Sequence, residues 1–128
     1  MSIEMMYQEV ILDHYRHPVN YGKLENPDVV HKEANVLCGD VVEIQLKFNG
    51  EKKISDAKFT GSGCAISQAS TDMLTGSIKG KNVDDIKNLD KDFVLKLLGI
   101  EVSHMRLKCA LLPLLTLQIA VSKDNSSR

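Results

Sequence analysis

The sequence predicts an α+β domain, a small three-stranded antiparallel sheet packed against about four to five helices. Three observations carry that reading. Val42, Ile44, Leu46 and Phe48 alternate with Glu43, Gln45 and Lys47, the period of a strand with one face buried. Asn49-Gly50 follows at once, the dipeptide suited to a tight hairpin turn. Past Gly61-Ser62-Gly63 the apolar residues take up helical spacing.

The chain opens with a helix over about 4–17, where Met6, Val10, Ile11 and Tyr15 recur near helical spacing. Ser2 offers its cap and Pro18 its stop. Asn20, Gly22, Asn26 and Pro27 make a turn-rich connection. Residues 31–37 supply a strand, 42–48 the next, and 53–60 the return strand of the hairpin. A helix over 64–78 places Ala65, Ala69 and Met73 on one face and ends before Gly80. Asn82, with Asp85 three residues on, opens a short helix, and another spans 90–98 with Gly99 as its stop. The last helix is expected from near Cys109 to about Lys123, which keeps Pro113 in or just past its first turn. The domain is expected to span 1–123, with 124–128 as a disordered tail.

Composition narrows the function. Of 128 residues, 43% are apolar and 26% charged, with 8 glycines and 3 prolines, which supports a core and excludes a disordered or collagen-like chain. A net charge of −1 with both signs interspersed gives no basic face for nucleic acid. The longest apolar stretch, Cys109 to Val121, is interrupted by Pro113, Thr116 and Gln118 and reads as too short to cross a bilayer. The opening MSIEMMYQEV lacks a basic segment followed by an apolar one, so a cytoplasmic protein without membrane attachment is expected.

Three cysteines are too few and too odd for a disulfide framework. In Cys38-Gly39-Asp40, positions two apart on an extended segment project to one side. Cys64 stands at a helix start behind Gly-Ser-Gly, where free N–H groups favour a thiolate. Cys109, placed at the opening of the last helix beside Lys108 and Arg106, is expected to have a lowered pKa. Taken singly, each cysteine is better explained as a small buried hydrophobe. Taken together, three thiolates and Asp40 make four ligands for zinc or an iron–sulfur cluster, although the spacing matches no zinc finger.

Four segments resemble the IscU/SufU/NifU family of scaffolds on which iron–sulfur clusters are assembled. They are the run from Tyr7 to Pro18, Cys38-Gly39-Asp40, Gly61-Ser62-Gly63-Cys64-Ala65-Ile66-Ser67 and Arg106-Leu107-Lys108-Cys109. The resemblance implies the family's sheet-and-helix fold, with Cys38, Cys64 and Cys109 as ligands and Asp40 as the labile fourth. It implies a 2Fe–2S cluster built from iron and desulfurase-derived sulfur, then passed to apo-proteins, with zinc as an occupant of the scaffold otherwise. Partners follow: a cysteine desulfurase, an electron donor such as a ferredoxin, and apo iron–sulfur acceptors. Tyr7 reads first as a core-packing residue and alternatively as the contact to a second copy. Cys109 is the first choice as sulfur acceptor and Cys38 the second.

The resemblance is of mixed type. Lys108 stands where IscU-type members carry histidine, as in SufU-type members, and its expected work is electrostatic, ionising the thiols or pairing with Asp40. The SufU-type insertion before the third cysteine is missing, and so is the Leu-Pro-Pro-Val-Lys stretch read by Hsp70-type chaperones. Two functions stand: a non-enzymatic cluster scaffold, or a zinc-dependent sulfurtransferase that takes persulfide from a desulfurase. His104 is expected at the surface, and His14 and His17 to cap or pack the first helix.

Overall fold

In the computed structural model the backbone of residues 3–126 and the side chains of residues 8–123 are described. The elements run α1 (Ile3–Arg16), β1 (Val29–Asn35), β2 (Asp40–Phe48), β3 (Ile54–Ser62), α2 (Ala65–Ser77), α3 (Val83–Lys87), α4 (Lys91–Leu98) and α5 (His104–Ser126). The strands lie in the order β1-β2-β3, antiparallel throughout. The expected α+β architecture is therefore the one observed. Ser2 lies outside the described residues, as does the Tyr7 side chain.

Val42, Ile44 and Leu46 from β2 and Ile54, Ala57 and Phe59 from β3 turn inward and are essentially fully buried. α2 and α5 cover that face, α2 against β3 and α5 against β1 and β2. Ala69 and Leu74 from one helix and Ala110, Leu117, Ala120 and Val121 from the other complete the core. The capping signals hold. Asn82 and Asp90 accept from Asp85 N and Phe93 N, and Gly99 closes α4 with φ 71°.

Three expectations are corrected here. The hairpin at Asn49-Gly50 is wider than a two-residue turn: Phe48 pairs with Ile54, and the positive φ falls on Lys52, at 60°. Asn49 organises the loop through its side chain, Oδ1 accepting from Glu51 N at 2.9 Å and Lys53 N at 3.1 Å. α5 starts at His104 instead of Cys109, so Pro113 is interior and the Cys109 carbonyl lacks its usual helical donor. One residue on, the Ala110 carbonyl accepts the Ser70 hydroxyl at 2.7 Å, a bond from α2 at the position where proline weakens the helix. The helix also continues past Lys123 to Ser126, into the segment expected as a tail, and its last two neighbours lie outside the described residues. Finally, the length argument against a span fails, because His104–Lys123 is long and apolar enough to cross a membrane. Half of that helix is buried against the sheet and α2, as expected of a core helix.

A buried carboxylate ties α1 to α2. Asp72, wholly buried on α2, accepts from Asn20 N at 2.8 Å and Val19 N at 3.2 Å, and its Oδ2 meets His14 Nδ1 at 2.5 Å. Asn20 returns the contact by donating to the Asp72 carbonyl at 3.0 Å, while its own Oδ1 accepts from Lys79 Nζ at 2.8 Å. His14 thus packs α1 as expected, through a partner on another helix.

Candidate metal site

At one end of the sheet, four chain segments meet. The β1–β2 turn is closed by Asn35, whose carbonyl accepts from Cys38 N at 3.2 Å and Gly39 N at 2.8 Å. Gly39, with φ 73°, supplies the left-handed residue that lets this turn deliver the chain into β2. Cys38 therefore sits on an exposed turn, and the expected extended i, i+2 geometry does not occur. The turn nevertheless brings the two side chains to one point. One ligand atom each from Cys38, Asp40 and Cys109 lies within 4.8 Å of the others.

Asp40 opens β2 and is fully buried. Its Oδ1 accepts from Cys64 N at 2.9 Å, which anchors the start of α2 to the sheet. Its Oδ2 is buried with no hydrogen-bond partner. An ionised oxygen left so in a protein interior costs several kcal/mol, on the order of 3–5, unless a cation meets it. Cys64 is the N-cap of α2, its Sγ accepting from Ser67 N at 3.4 Å, as the helix-start reading expects. It lines a cavity of about 280 Å³ together with Cys38, Met105, Arg106 and Cys109.

Gly63 makes this packing possible. A Cβ there would lie 2.2 Å from Asp40 Oδ1 and 2.9 Å from Ser67 Oγ, and its φ is 151°. The glycine is required by close approach and by backbone conformation together.

Cys109 corrects the sequence expectation twice. It lies in the second turn of α5, not at the opening, and is 1% exposed. Burial pushes its thiol well above the ordinary value, and Asp40, Cys38 and Cys64 beside it push the same way. The lowering anticipated from Lys108 and Arg106 does not occur: burial outweighs it, and Lys108 faces elsewhere. It lines an apolar groove with Val36, Leu37, Leu111 and Leu115, while Arg106 lines the thiol cavity. No ion pair joins Lys108 to Asp40 among the described residues. The helical period explains the exchange: Arg106 and Cys109 are three apart and share a face, and Lys108 does not. His104 is exposed at the helix start and lines none of this cavity.

The donor set fits a thiophilic metal. The structure groups two sulfurs, Cys38 and Cys109, with the Asp40 carboxylate, while Cys64 lines the same cavity without joining that group and its Sγ accepts from Ser67 N. Thiolate and carboxylate donors suit zinc or iron, and the buried, unpartnered Asp40 oxygen is the feature a metal would satisfy.

Comparisons with known proteins agree with this chemistry. The NifU-like N terminal domain family matches residues 6–127. The chain is similar to the zinc-dependent sulfurtransferase SufU of Bacillus subtilis, 34% identical over 140 residues, covering 96% of this chain and 94% of that protein. It is also similar to the iron–sulfur cluster assembly scaffold protein IscU of Escherichia coli, 32% identical over 127 residues, covering 97% and 98% respectively. Among solved structures, it resembles a protein assigned as a SUF-system iron–sulfur cluster assembly scaffold from Fervidobacterium islandicum. That match has a TM-score of 0.74 and 36% identity, covering 92% of this chain and 98% of the other. The alignment with SufU is longer than the 128-residue chain, so that relative carries residues this chain lacks.

Proposed function

The chain belongs to the NifU-like N-terminal domain family, and from that premise we propose that it is a scaffold for a 2Fe–2S cluster. Iron and sulfur are its cargo, received at Cys38, Asp40, Cys64 and Cys109 and passed to apo iron–sulfur proteins. The observation that carries the reading is the buried Asp40 Oδ2 without a protein partner, grouped with Cys38 and Cys109. As the sequence resemblance reads them, the missing insertion before the third cysteine speaks for the scaffold and Lys108 for the sulfurtransferase. The same donor set supports the second reading, in which zinc occupies the site and the protein takes sulfur from a desulfurase. Zinc bound there would keep the thiols ionised. The proposed partners are a cysteine desulfurase, an electron donor such as a ferredoxin, and apo-protein acceptors in the cytoplasm, with a homodimer through Tyr7.

The order of sulfur acceptors is best reversed from the one first expected. Cys109 is buried with a raised pKa, a poor nucleophile, whereas Cys38 stands on the open turn. In the proposed step the Cys38 thiolate attacks the outer sulfur of the desulfurase persulfide. The donor S–S bond breaks, the donor leaves as thiolate, and Cys38 carries the new persulfide with no net oxidation. After brief exposure to desulfurase and cysteine, alkylation and mass spectrometry should place the added sulfur on Cys38. Persulfide that persists in Cys38→Ser and disappears in Cys109→Ser would restore the original order.

Anaerobic reconstitution with iron, cysteine and a desulfurase, followed by visible absorption and metal analysis, separates the two functions. Charge-transfer bands lost in Cys38→Ser, Cys64→Ser or Cys109→Ser support the scaffold. Tightly held zinc, no bands and faster desulfurase turnover support the sulfurtransferase.

Asp40 is the proposed release point, because a carboxylate is a harder and weaker ligand for iron than a thiolate. Asp40→Ala is expected to slow cluster transfer without abolishing assembly. Asp40→Asn, which keeps an acceptor for Cys64 N–H, controls for lost packing. Transfer from Asp40→Ala at the parent rate would sink this assignment.

A further inference from the structure

The edge of the sheet beside α1 has an opening that the metal site does not use. β3 is an edge strand, and the connection after α1 covers only part of it. Tyr21 bridges to Phe59 in parallel, Phe59 N donating to Asn20 O at 3.0 Å and Gly22 N donating to Phe59 O at 2.8 Å. At Gly22, φ 136°, the connection leaves the edge, and Leu24 N already donates to Gln45 Oε1 on β2 at 2.8 Å. Backbone polar groups alternate sides along a strand. Gly61, two residues past Phe59, therefore directs its N–H and C=O to the same side, where the connection no longer runs.

What lies there is a cleft of about 420 Å³. Gly61, Ser62 and Gly63 form one wall, and Tyr15, Arg16 and Tyr21 stand around it. Tyr15 and Tyr21 are 43% and 49% exposed, and Tyr21 is held edge-on against the buried Phe59 ring with centroids 5.3 Å apart. Arg16 is exposed and forms no ion pair among the described residues. No Asp or Glu lines the cleft, and His14 is taken up by Asp72, so the free charge in its lining is that of Arg16. The glycines at 61 and 63 leave the wall without side chains. At 61 this is imposed by the close approach of β2, since a Cβ would lie 2.2 Å from the Val41 carbonyl oxygen.

We propose that this edge binds an extended peptide bearing an acidic side chain. The peptide backbone pairs with Gly61, as the connection pairs with Phe59. Its apolar side chains rest on Tyr15 and Tyr21, and its carboxylate meets Arg16. Strand addition accounts for the unpaired edge, the aromatic rim for side-chain contact, and the uniform sign of the lining for the acidic residue. Gly63, at the far end of the wall, packs on Asp40, so the bound peptide lies against the back of the thiol site.

The test needs neither metal nor cluster. The full chain, labelled with nitrogen-15, is titrated with a short capped peptide of valines around one aspartate. Amide shifts at Gly61 and Ser62, slowed exchange of Gly61 N–H, and about tenfold weaker binding by Arg16→Glu are expected. The Arg16→Glu spectrum away from the cleft should match the parent, showing that the fold is kept. Shifts confined to other surfaces, equal binding of a peptide with lysine in place of aspartate, or the same shifts from sodium acetate alone would each overturn the proposal.

Discussion

Gly63→Ala is expected to weaken zinc binding by about 10–100-fold, as measured by competition with a chromophoric chelator. The added methyl has nowhere to go: the Asp40 carboxylate oxygen stands 2.2 Å from its position, and the backbone φ of 151° disfavours any side chain. Something must move. Asp40 is the group in the way, and moving it breaks the bond from Cys64 N and removes the oxygen donor from Cys38 and Cys109. Folding should suffer as well, by roughly 2 kcal/mol, from backbone strain and the displaced buried carboxylate. Gly80→Ala isolates the first of these costs. Gly80 has φ 88° with nothing within 4 Å of its Cβ position, so that variant should lose stability and keep its zinc affinity. A folded Gly63→Ala protein that binds zinc as tightly as the parent would show that this packing does not set Asp40.

Much of this arrangement was legible in the residues, for reasons that can be named. The alternation through Val42, Ile44 and Leu46 worked because the face carrying them is closed by helices, so burial follows the strand period. Asn82, Asp90 and Gly99 marked helix ends correctly because capping is local chemistry, decided within a few residues. The start of α5 was illegible for the opposite reason. Pro113 argued for a late start from local cost alone, and a helix packed along its length on α2 and the sheet tolerates that cost.

That single misplacement carried into the site. With α5 starting at Cys109, the thiol is expected to stand beside the charges of Lys108 and Arg106, with a lowered pKa. Starting the helix at His104 instead buries the thiol and puts Arg106 on its face. The i, i+3 spacing of Arg106 and Cys109 was the available signal, and it required knowing that residues 104–109 are helical. The candidate ligands themselves were visible as types. The convergence of Cys38, Asp40 and Cys109 depends on the β1–β2 turn and on Gly63, neither of which hydrophobic periodicity records.

Asp72 left no such trace, and its replacement is expected to have the larger effect on folding. Asp72→Ala should lower stability by about 3–5 kcal/mol, the range for breaking a buried charged contact by removing one partner. The carboxylate is fully buried and accepts from two backbone N–H groups, the Asn20 amide and the His14 ring. An alanine leaves all of these donors in a space that no other acceptor fills, and lost desolvation is the dominant cost. The damage should spread along a defined path. Asn20, held by Asp72, in turn accepts from Phe59 N on β3, so the connection that covers the sheet edge depends on the same anchor. Thermal unfolding should shift downward by on the order of 10 °C. Native-state hydrogen exchange should speed up first at Val19, Asn20, Gly22 and Phe59, before the α5 core opens. An Asp72→Ala protein with a loss under about 1 kcal/mol, the ordinary cost of one neutral hydrogen bond, would mean that solvent replaces the carboxylate. α1 would then be held by packing alone, through Ile11 and its neighbours on α2.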